Sequence, residues 1–459
     1  IGIEVDIRLN NLTVISVLEG TPAYRAGINP GDKIIAINGR LTSEMSREDA
    51  ARSMRGIAGT PLELTIRRYG INELMNYSLI RETVETKSIP YASALPDGIG
   101  YVRLTRFTET TYYEIVEAIA SFQAQNVQGI IMDLRSNPGG LLLEAVKVVG
   151  LFIEPNKLVV ETRNRSDNFT RHFSSNDGLS CYDIPLAVLV DEGTASAAEI
   201  VAGAIQDWDR GLIIGNRTYG KGLVQRIIRL DDVSALKLTT AKYYIPSGRC
   251  IQKPEDAGGL NVAAGLESFP VKNKEQGIYY TASGRVVSGG GGITPDIQVA
   301  SIKDTEIVKA LKQHSEFFHF AFRYVHDFRA EIDSNFVADA GTIEEFKNYL
   351  VESNFNYDAQ FEVRYDSLIT ALPDYGVPSK LLSSIKELDK QLQDLKFQRL
   401  EADMDLIKWN LTEEIMALRF DPNTRYACVW VNHHAEILKA REVLATEREY
   451  REAFVASKE

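Results

Sequence analysis

The rhythm of apolar and polar positions changes twice along the chain, near residues 85 and 300. In residues 1–85, short apolar runs at Thr13–Val17, Lys33–Ile37 and Leu62–Arg67 are separated by the turn signals "EGTP", "NPGD" and "NGR", which predicts short strands. Ser46 to Met54 is polar with Ala50 and Ala51 inside, and predicts one short helix with Ser46 as its N-cap. In residues 86–300, apolar runs alternate with helical patterns. "GIGYVRLTRF", "QGIIMDLR" and "IPLAVLVD" read as strands, and "TTYYEIVEAIASFQAQ", "LLLEAVKVVGLFI" and "SAAEIVAGAIQDW" as helices. "GLIIGNRTYGKGLVQRIIRL" reads as two strands around a tight turn. The alternation predicts a mainly parallel sheet covered by helices. "IPLAVLV" lacks a period of two, as a strand buried on both faces does.

Beyond residue 300 glycine and proline thin out, and helical periodicity rises. Leu381, Ile385, Leu388, Leu392 and Leu395 recur at spacings of four and three, a stripe two heptads long. Such a stripe suits either a helix packed inside its own domain or a self-association helix. "ALPDYGVPSK" predicts a loop that starts this helix at Ser379. The sequence therefore divides into a small β domain at 1–85, a βα core at 86–300 and a mostly helical region at 301–459, a multidomain α/β chain.

Composition narrows the function classes. The 459 residues leave room for two to four domains, and 44% hydrophobic content provides for real cores. A net charge of −12 argues against nucleic acid as a partner, because a phosphate backbone needs cationic surface. No run of about 18 apolar residues predicts a membrane span. No signal segment is seen, and "IGIEVDIRLNN" opens as if already inside a strand, which reads as a trimmed start. Cys181, Cys250 and Cys428 are too widely spaced for a zinc pattern or a dense disulfide framework, though one pair could form.

The chemistry concentrates in two strand-to-helix turns. "DEGTASAAEI" places Ser196 at the end of a buried strand and the start of a helix, where main-chain N–H groups are unpaired and the helix dipole adds positive potential. Small neighbours, Ala195, Ala197 and Ala198, would let a substrate backbone approach. The amide of Ala197 suits an oxyanion donor. "DLRSNPGG" forms the second turn; Gly139 and Gly140 tolerate positive φ and expose their amides, either of which could be the second donor. Both turns should open at the carboxyl edge of one sheet, where ligands bind.

A serine nucleophile needs a base. His172 is the only histidine before residue 314, and it sits in a polar segment with no evident route to Ser196. Lys221, between Gly220 and Gly222, is the alternative, although a lone lysine is more often simply solvated. To act as a base its pKa must fall from about 10.4 by about three units, which burial against apolar walls would supply. Gln225, four residues on, would share its strand face by a period of two and orient the pair, or serve only structurally. Glu199 reads as a structural helix residue.

Taken together, "GTPAYRAGINPGDKIIAINGR" resembles a protease-type PDZ domain, with a blander reading as a β domain that only positions its neighbour. "GIGYVRLTRF", "GIIMDLRSNPGG", "DEGTASAAEI", "IIGNRTYGKGLVQ", "LKLTTAKYYIPSGRCIQ" and "GGGGITPDI" follow in the order of the carboxyl-terminal processing (tail-specific) proteases, and the chain resembles that family over roughly residues 1–300. The resemblance implies a crotonase-like (ClpP/crotonase-type) core, a nucleophile at Ser196, a lysine base at Lys221, an assisting glutamine at Gln225, and oxyanion donors at Ala197 and the Gly139–Gly140 turn. It implies a peptide groove at Ile1, Gly2, Ile3 and Glu4 against the 46–54 helix, polypeptide substrates with accessible C-termini, no metal and no cofactor, and an exported enzyme of the cell envelope or periplasm. No role carries over onto 301–459, whose helices suit regulation, substrate handling or homo-oligomer formation. Two rivals remain: a PDZ-containing peptide-binding protein that has lost turnover, and acyl-thioester chemistry on the same fold.

Overall fold

A computed structural model of the chain describes residues 1–8, 11–18, 20–84, 87–164, 169–176, 181–231, 234–253, 277–300, 304–357, 359, 362–365, 367, 387–388, 391–392, 401–420 and 422–456. The chain forms two compact units, each made of two separated stretches: Ile1–Thr86 with Lys303–Val429, and Lys87–Ile302 with Trp430–Glu459. The helical region that the sequence suggests as one block is thus shared between them.

In the first unit, β1 (Ile3–Arg8), β2 (Asn11–Val17), β3 (Lys33–Ile37), β4 (Arg40–Leu41), β5 (Pro61–Arg67) and β6 (Met75–Ile80) form an antiparallel sheet ordered β1-β2-β3-β5-β6, with β4 on β3. Two helices accompany it, α1 (Pro22–Arg25) and α2 (Arg47–Met54). The expected cap is present: Ser46 Oγ accepts from the Asp49 amide at 3.1 Å. Val14, Ile34, Leu62, Ile66 and Met54 close a small core. Arg68 clamps the buried Asp32 at the "NPGD" turn through Nε and Nη2, at 2.8 and 2.7 Å. Helices Glu306–Gln313, Glu316–Phe328, Ala340–Glu352 and Met404–Arg419 share a second core around Leu311, Phe317, Phe346, Leu411 and Ile415. Of the leucine stripe, Leu381, Ile385 and Leu395 lie outside the described residues, as does the 371–380 loop; Leu388 is helical and exposed.

The second unit holds the site. Its main sheet contains β7 (Tyr91–Ala94), β8 (Ile99–Arg103), β9 (Gly129–Asp133), β12 (Leu186–Val190), β13 (Leu212–Gly215) and β16 (Ile297–Gln298), ordered β16-β13-β12-β9-β8-β7. All pairings are parallel except β7 with β8. Helices α3 (Thr111–Ala124), α4 (Leu142–Gly150) and α5 (Ala197–Asp207) alternate with the strands, as the sequence pattern predicts. Val102, Ile130, Met132 and Val188 pack with these helices, while the alternate residues Ile131, Ala187, Leu189 and Ile214 are also fully buried. The Ala435–Leu444 helix packs on β9, β12 and β13. A second, antiparallel sheet is ordered β11-β10-β15-β14, from β10 (Leu158–Arg163), β11 (Thr170–Ser174), β14 (Leu223–Arg229) and β15 (Ala235–Tyr244). This corrects one expectation. The two strands of "GLIIGNRTYGKGLVQRIIRL" do not form a tight hairpin: β13 lies in the main sheet, β14 pairs with β15, and residues 216–222 cross from one sheet to the other. Cys181, Cys250 and Cys428 are free thiols.

A buried charge cluster ends β9. Asp133, with no exposed surface, accepts from Arg103 Nη1 (2.7 Å), Arg135 Nε and Nη2 (3.0 and 2.7 Å) and Tyr101 Oη (2.7 Å). Burial opposes its ionisation, but Arg103 and Arg135 outweigh that and hold the carboxyl well below the usual range. Arg135 Nη1 also meets Glu436 Oε2 at 2.8 Å and His434 Nδ1 at 3.2 Å. Burial, and then the Arg135 charge, pushes the His434 imidazole down to about 3. An imidazole in the unfolded chain titrates near 6.5, so between those values the unfolded chain binds a proton that the folded chain does not. His434 thus contributes full stability above about pH 6.5 and loses it on acidification, by roughly 1 kcal/mol per unit. Urea unfolding of His434→Asn against wild type should show a shallower loss of stability from pH 6.5 to 4 in the variant; parallel curves would refute this.

Candidate active site

The turns after β9 and β12 meet at the carboxyl edge of the main sheet. Ser196 precedes α5 with φ 57° and ψ −117°, a left-handed, strained conformation for a residue with a Cβ. The surrounding bonds hold it there. Asp191 Oδ1 accepts from the Ser136 amide at 2.6 Å and Oδ2 from Ser136 Oγ at 2.9 Å. Thr194 Oγ1 donates to the Leu134 carbonyl at 2.8 Å, and the Ala195 amide to the Asn137 carbonyl at 2.9 Å. The two turns are therefore stapled side by side.

Gly139 lies against the serine. A Cβ on it, at φ 96°, would sit 2.7 Å from the Ala195 oxygen, 2.8 Å from the Ala197 nitrogen and 2.9 Å from Ser196 Cβ. The Gly139 amide donates to Asn137 Oδ1 at 2.8 Å, and Asn137 Nδ2 is anchored on the Leu104 carbonyl. Phe107 grips the turn from the other side, its amide on the Gly139 carbonyl and its carbonyl on the Leu141 amide, both 3.0 Å. Among the described residues, the amides of Gly140 and Ala197 make no hydrogen bond. Gly139 is thus engaged, and Gly140 is the glycine with an amide to give. Ala195, Ala197 and Ala198 are buried, and main-chain atoms of Ala195 and Ala197 lie against Gly139.

Glu199, read from the sequence as structural, joins the third segment to the first two. Fully buried, its Oε2 accepts from the amides of Ser196 and Lys221, each at 2.8 Å, and its Oε1 from Thr218 Oγ1 at 2.6 Å and the Gly220 amide at 2.7 Å. The main-chain nitrogens of Ser196 and Lys221 share one oxygen. Burial pushes this carboxyl up, while its donors, Thr218 foremost, pull it back. The S-x-x-E spacing is a capping-box signal that marks the bond to Ser196. Nothing in the spacing marks the reach to Gly220 and Lys221.

The Lys221 side chain is exposed, not buried against apolar walls as expected. The loop that carries it crosses between sheets, and Glu199 fixes its backbone rather than its amine. Gln225 is also exposed and lies on β14, the edge strand of the second sheet, which starts only at Leu223, so a period of two does not relate it to Lys221. His172 pairs with Glu161 at 2.9 Å on the β11–β10 ladder, its side chain largely exposed. In the first unit, Gly2 is buried at φ 79°, and Ile3 and Glu4 begin the edge strand β1, against which α2 packs. Glu4 Oε2 accepts from Ser16 Oγ at 3.2 Å. No cluster of metal-ligating side chains occurs among the described residues.

Three family descriptions match the chain: "PDZ domain" over residues 13–68, "Peptidase family S41" over 98–260, and "Probable PDZ-protease, C-terminal helical domain" over 307–452. The chain is 41% identical over 256 residues to a carboxy-terminal-processing protease of Bartonella bacilliformis, covering 55% of this chain and 58% of that protein. It is 35% identical over 300 residues to a carboxyl-terminal-processing protease of Synechocystis sp., covering 64% and 69%. A solved structure of a photosystem II D1 C-terminal processing protease shares 29% identity over 65% of this chain and 72% of its own, with a TM-score of 0.36, a superposition too loose to bear on the fold. The chain spans little more than half of the Bartonella protein's length. By the extent and identity of the Synechocystis match, and by its S41 and PDZ segments, the chain belongs to the carboxyl-terminal-processing proteases.

Proposed function

We propose that the chain is a serine endopeptidase that cleaves proteins captured by their C-terminal tails. Ser196 is the nucleophile, and Lys221, in its neutral form, takes the hydroxyl proton. The acyl-enzyme that forms is released by water activated by the same amine. Gln225 orients the lysine. The amides of Ala197 and Gly140 receive the oxyanion, each contributing about 3 kcal/mol of barrier lowering. The core at 86–300 is of the crotonase type. Substrate tails add along β1 at Gly2, Ile3 and Glu4, facing α2. The work belongs to the cell envelope or periplasm, a reading that the family resemblance supports.

One observation carries the reading: Glu199 Oε2 holds the main-chain amides of Ser196 and Lys221 at once, so the backbones that carry nucleophile and base are tied to a single buried atom. The unbonded amides of Ala197, next to Ser196, and of Gly140, the residue after the Gly139 that lies against Ser196, support the oxyanion assignment. Because Lys221 is exposed, the reading requires a bound substrate strand to exclude water from it.

An unstructured polypeptide with an apolar C-terminus should be cleaved by the wild type. Ser196→Ala and Lys221→Ala should each lose about a thousandfold or more in kcat. Cleavage persisting in both variants would remove the mechanism, and tight peptide binding without any cleavage would favour the binding-protein alternative. Gly139→Ala should drive a Cβ into Ala195, Ser196 and Ala197 and lower kcat by at least about a hundredfold while helix content by circular dichroism persists; full activity would contradict the packing of the turns. Glu199→Gln replaces one acceptor oxygen with a donor and must orphan at least one of four donors, costing about 1–3 kcal/mol of stability by urea unfolding together with activity. An unchanged unfolding midpoint would show that the four bonds do not hold the site.

A further inference from the structure

The turn that offers Gly140 is braced from behind by the C-terminal part of the chain. Arg135, the residue before that turn, has a side chain 6% exposed and held from two sides. Asp133 of β9 takes its Nε and Nη2, and Glu436 takes its Nη1. The ring of Trp430 lies 5.6 Å from the Arg135 guanidinium and 5.5 Å from that of Arg103. Arg103 and Arg135 carry two positive charges against the single negative charge of Asp133, and Glu436 brings the second negative charge. Glu436 itself sits on a strap fixed to the sheet at several points. Ile437, Ala440 and Leu444 are buried, Arg441 Nε donates to Asp97 at 2.6 Å, and Tyr450 Oη lies 3.2 Å from both the amide and the carbonyl of Leu186.

We propose that Glu436 is a positioning residue for the hydrolytic reaction: from the C-terminal strap it fixes Arg135, and through Arg135 the Ser136–Gly140 turn whose amide faces the oxyanion. The inference rests on the assignment of Ser196 and Gly140 made above. Neither Glu436 nor the strap touches the reacting atoms. Their effect is on how often the turn adopts the conformation that the transition state requires.

The test uses the full chain with Glu436→Gln, which keeps the shape and removes the charge, and Glu436→Asp, which keeps the charge on a shorter arm. Two readouts are taken: kcat and KM on the unstructured polypeptide, and hydrogen exchange of the peptide spanning residues 134–141. Expected for Glu436→Gln is a loss of roughly 10- to 100-fold in kcat with KM within about twofold. Exchange at 134–141 should speed up several-fold with exchange in 111–124 unchanged, and Glu436→Asp should recover part of both. Unchanged kcat and unchanged exchange would overturn the proposal, as would an exchange increase spread evenly over the whole unit. If Glu436→Gln does not fold, Glu436→Asp is judged by the same two readouts against wild type. Cleavage surviving Ser196→Ala would instead remove the Ser196 assignment, and the exchange result alone would then decide whether Glu436 orders the turn.

Discussion

One carboxylate organises the site. Glu199 leaves the first turn of α5 and spends its two oxygens on four donors drawn from two separate segments. In a site without exposed surface, a carboxylate is tolerated only when its lone pairs are occupied, and these donors occupy them. The arrangement is reciprocal. Without the carboxylate, the amides of Ser196, Gly220 and Lys221 would face one another with no acceptor. With it, the turn after β12 and the loop after β13 are held as one piece. The strained φ of Ser196 is sustained by the same contact, together with the bonds that Asp191 and Thr194 make to the neighbouring turn.

Much of this was legible in the sequence. The main sheet and its helices follow from runs buried on both faces alternating with helical periods, and the Ser46 cap from its position before a polar helix. Both turns of the candidate site were legible because glycine and small residues sat where strands ended. The second sheet was not, since its strands β10 and β15 pair across a long stretch of chain and no local pattern encodes such a pairing. The exposure of Lys221 was hidden for a related reason: flanking glycines announce a turn but not which way its side chain faces. The choice between Gly139 and Gly140 depended on Asn137, whose side chain consumes one of the two amides, a detail visible only once the backbone is folded.

The C-terminal helices illustrate how chain order and packing order diverge. The helical composition runs on without interruption past residue 429, yet the stretch from Trp430 joins the sheet unit and covers residues that α3, α4 and α5 leave on the opposite face. A parallel sheet needs cover on both sides. Here the second layer comes from the far end of the sequence, more than 200 residues after the strands it covers began.

The crossing from β13 to β14 has a mechanical meaning. The serine half of the site stands on the main sheet, whose central strands are fully buried, and the lysine half hangs from the outermost strand of a ribbon whose residues largely face solvent. The two halves therefore differ in stiffness. On the proposed mechanism, a load that flexes the ribbon would change the spacing of alcohol and amine while the central layers stay as they are, so reactivity would respond to the bending of one hairpin without loosening of the core.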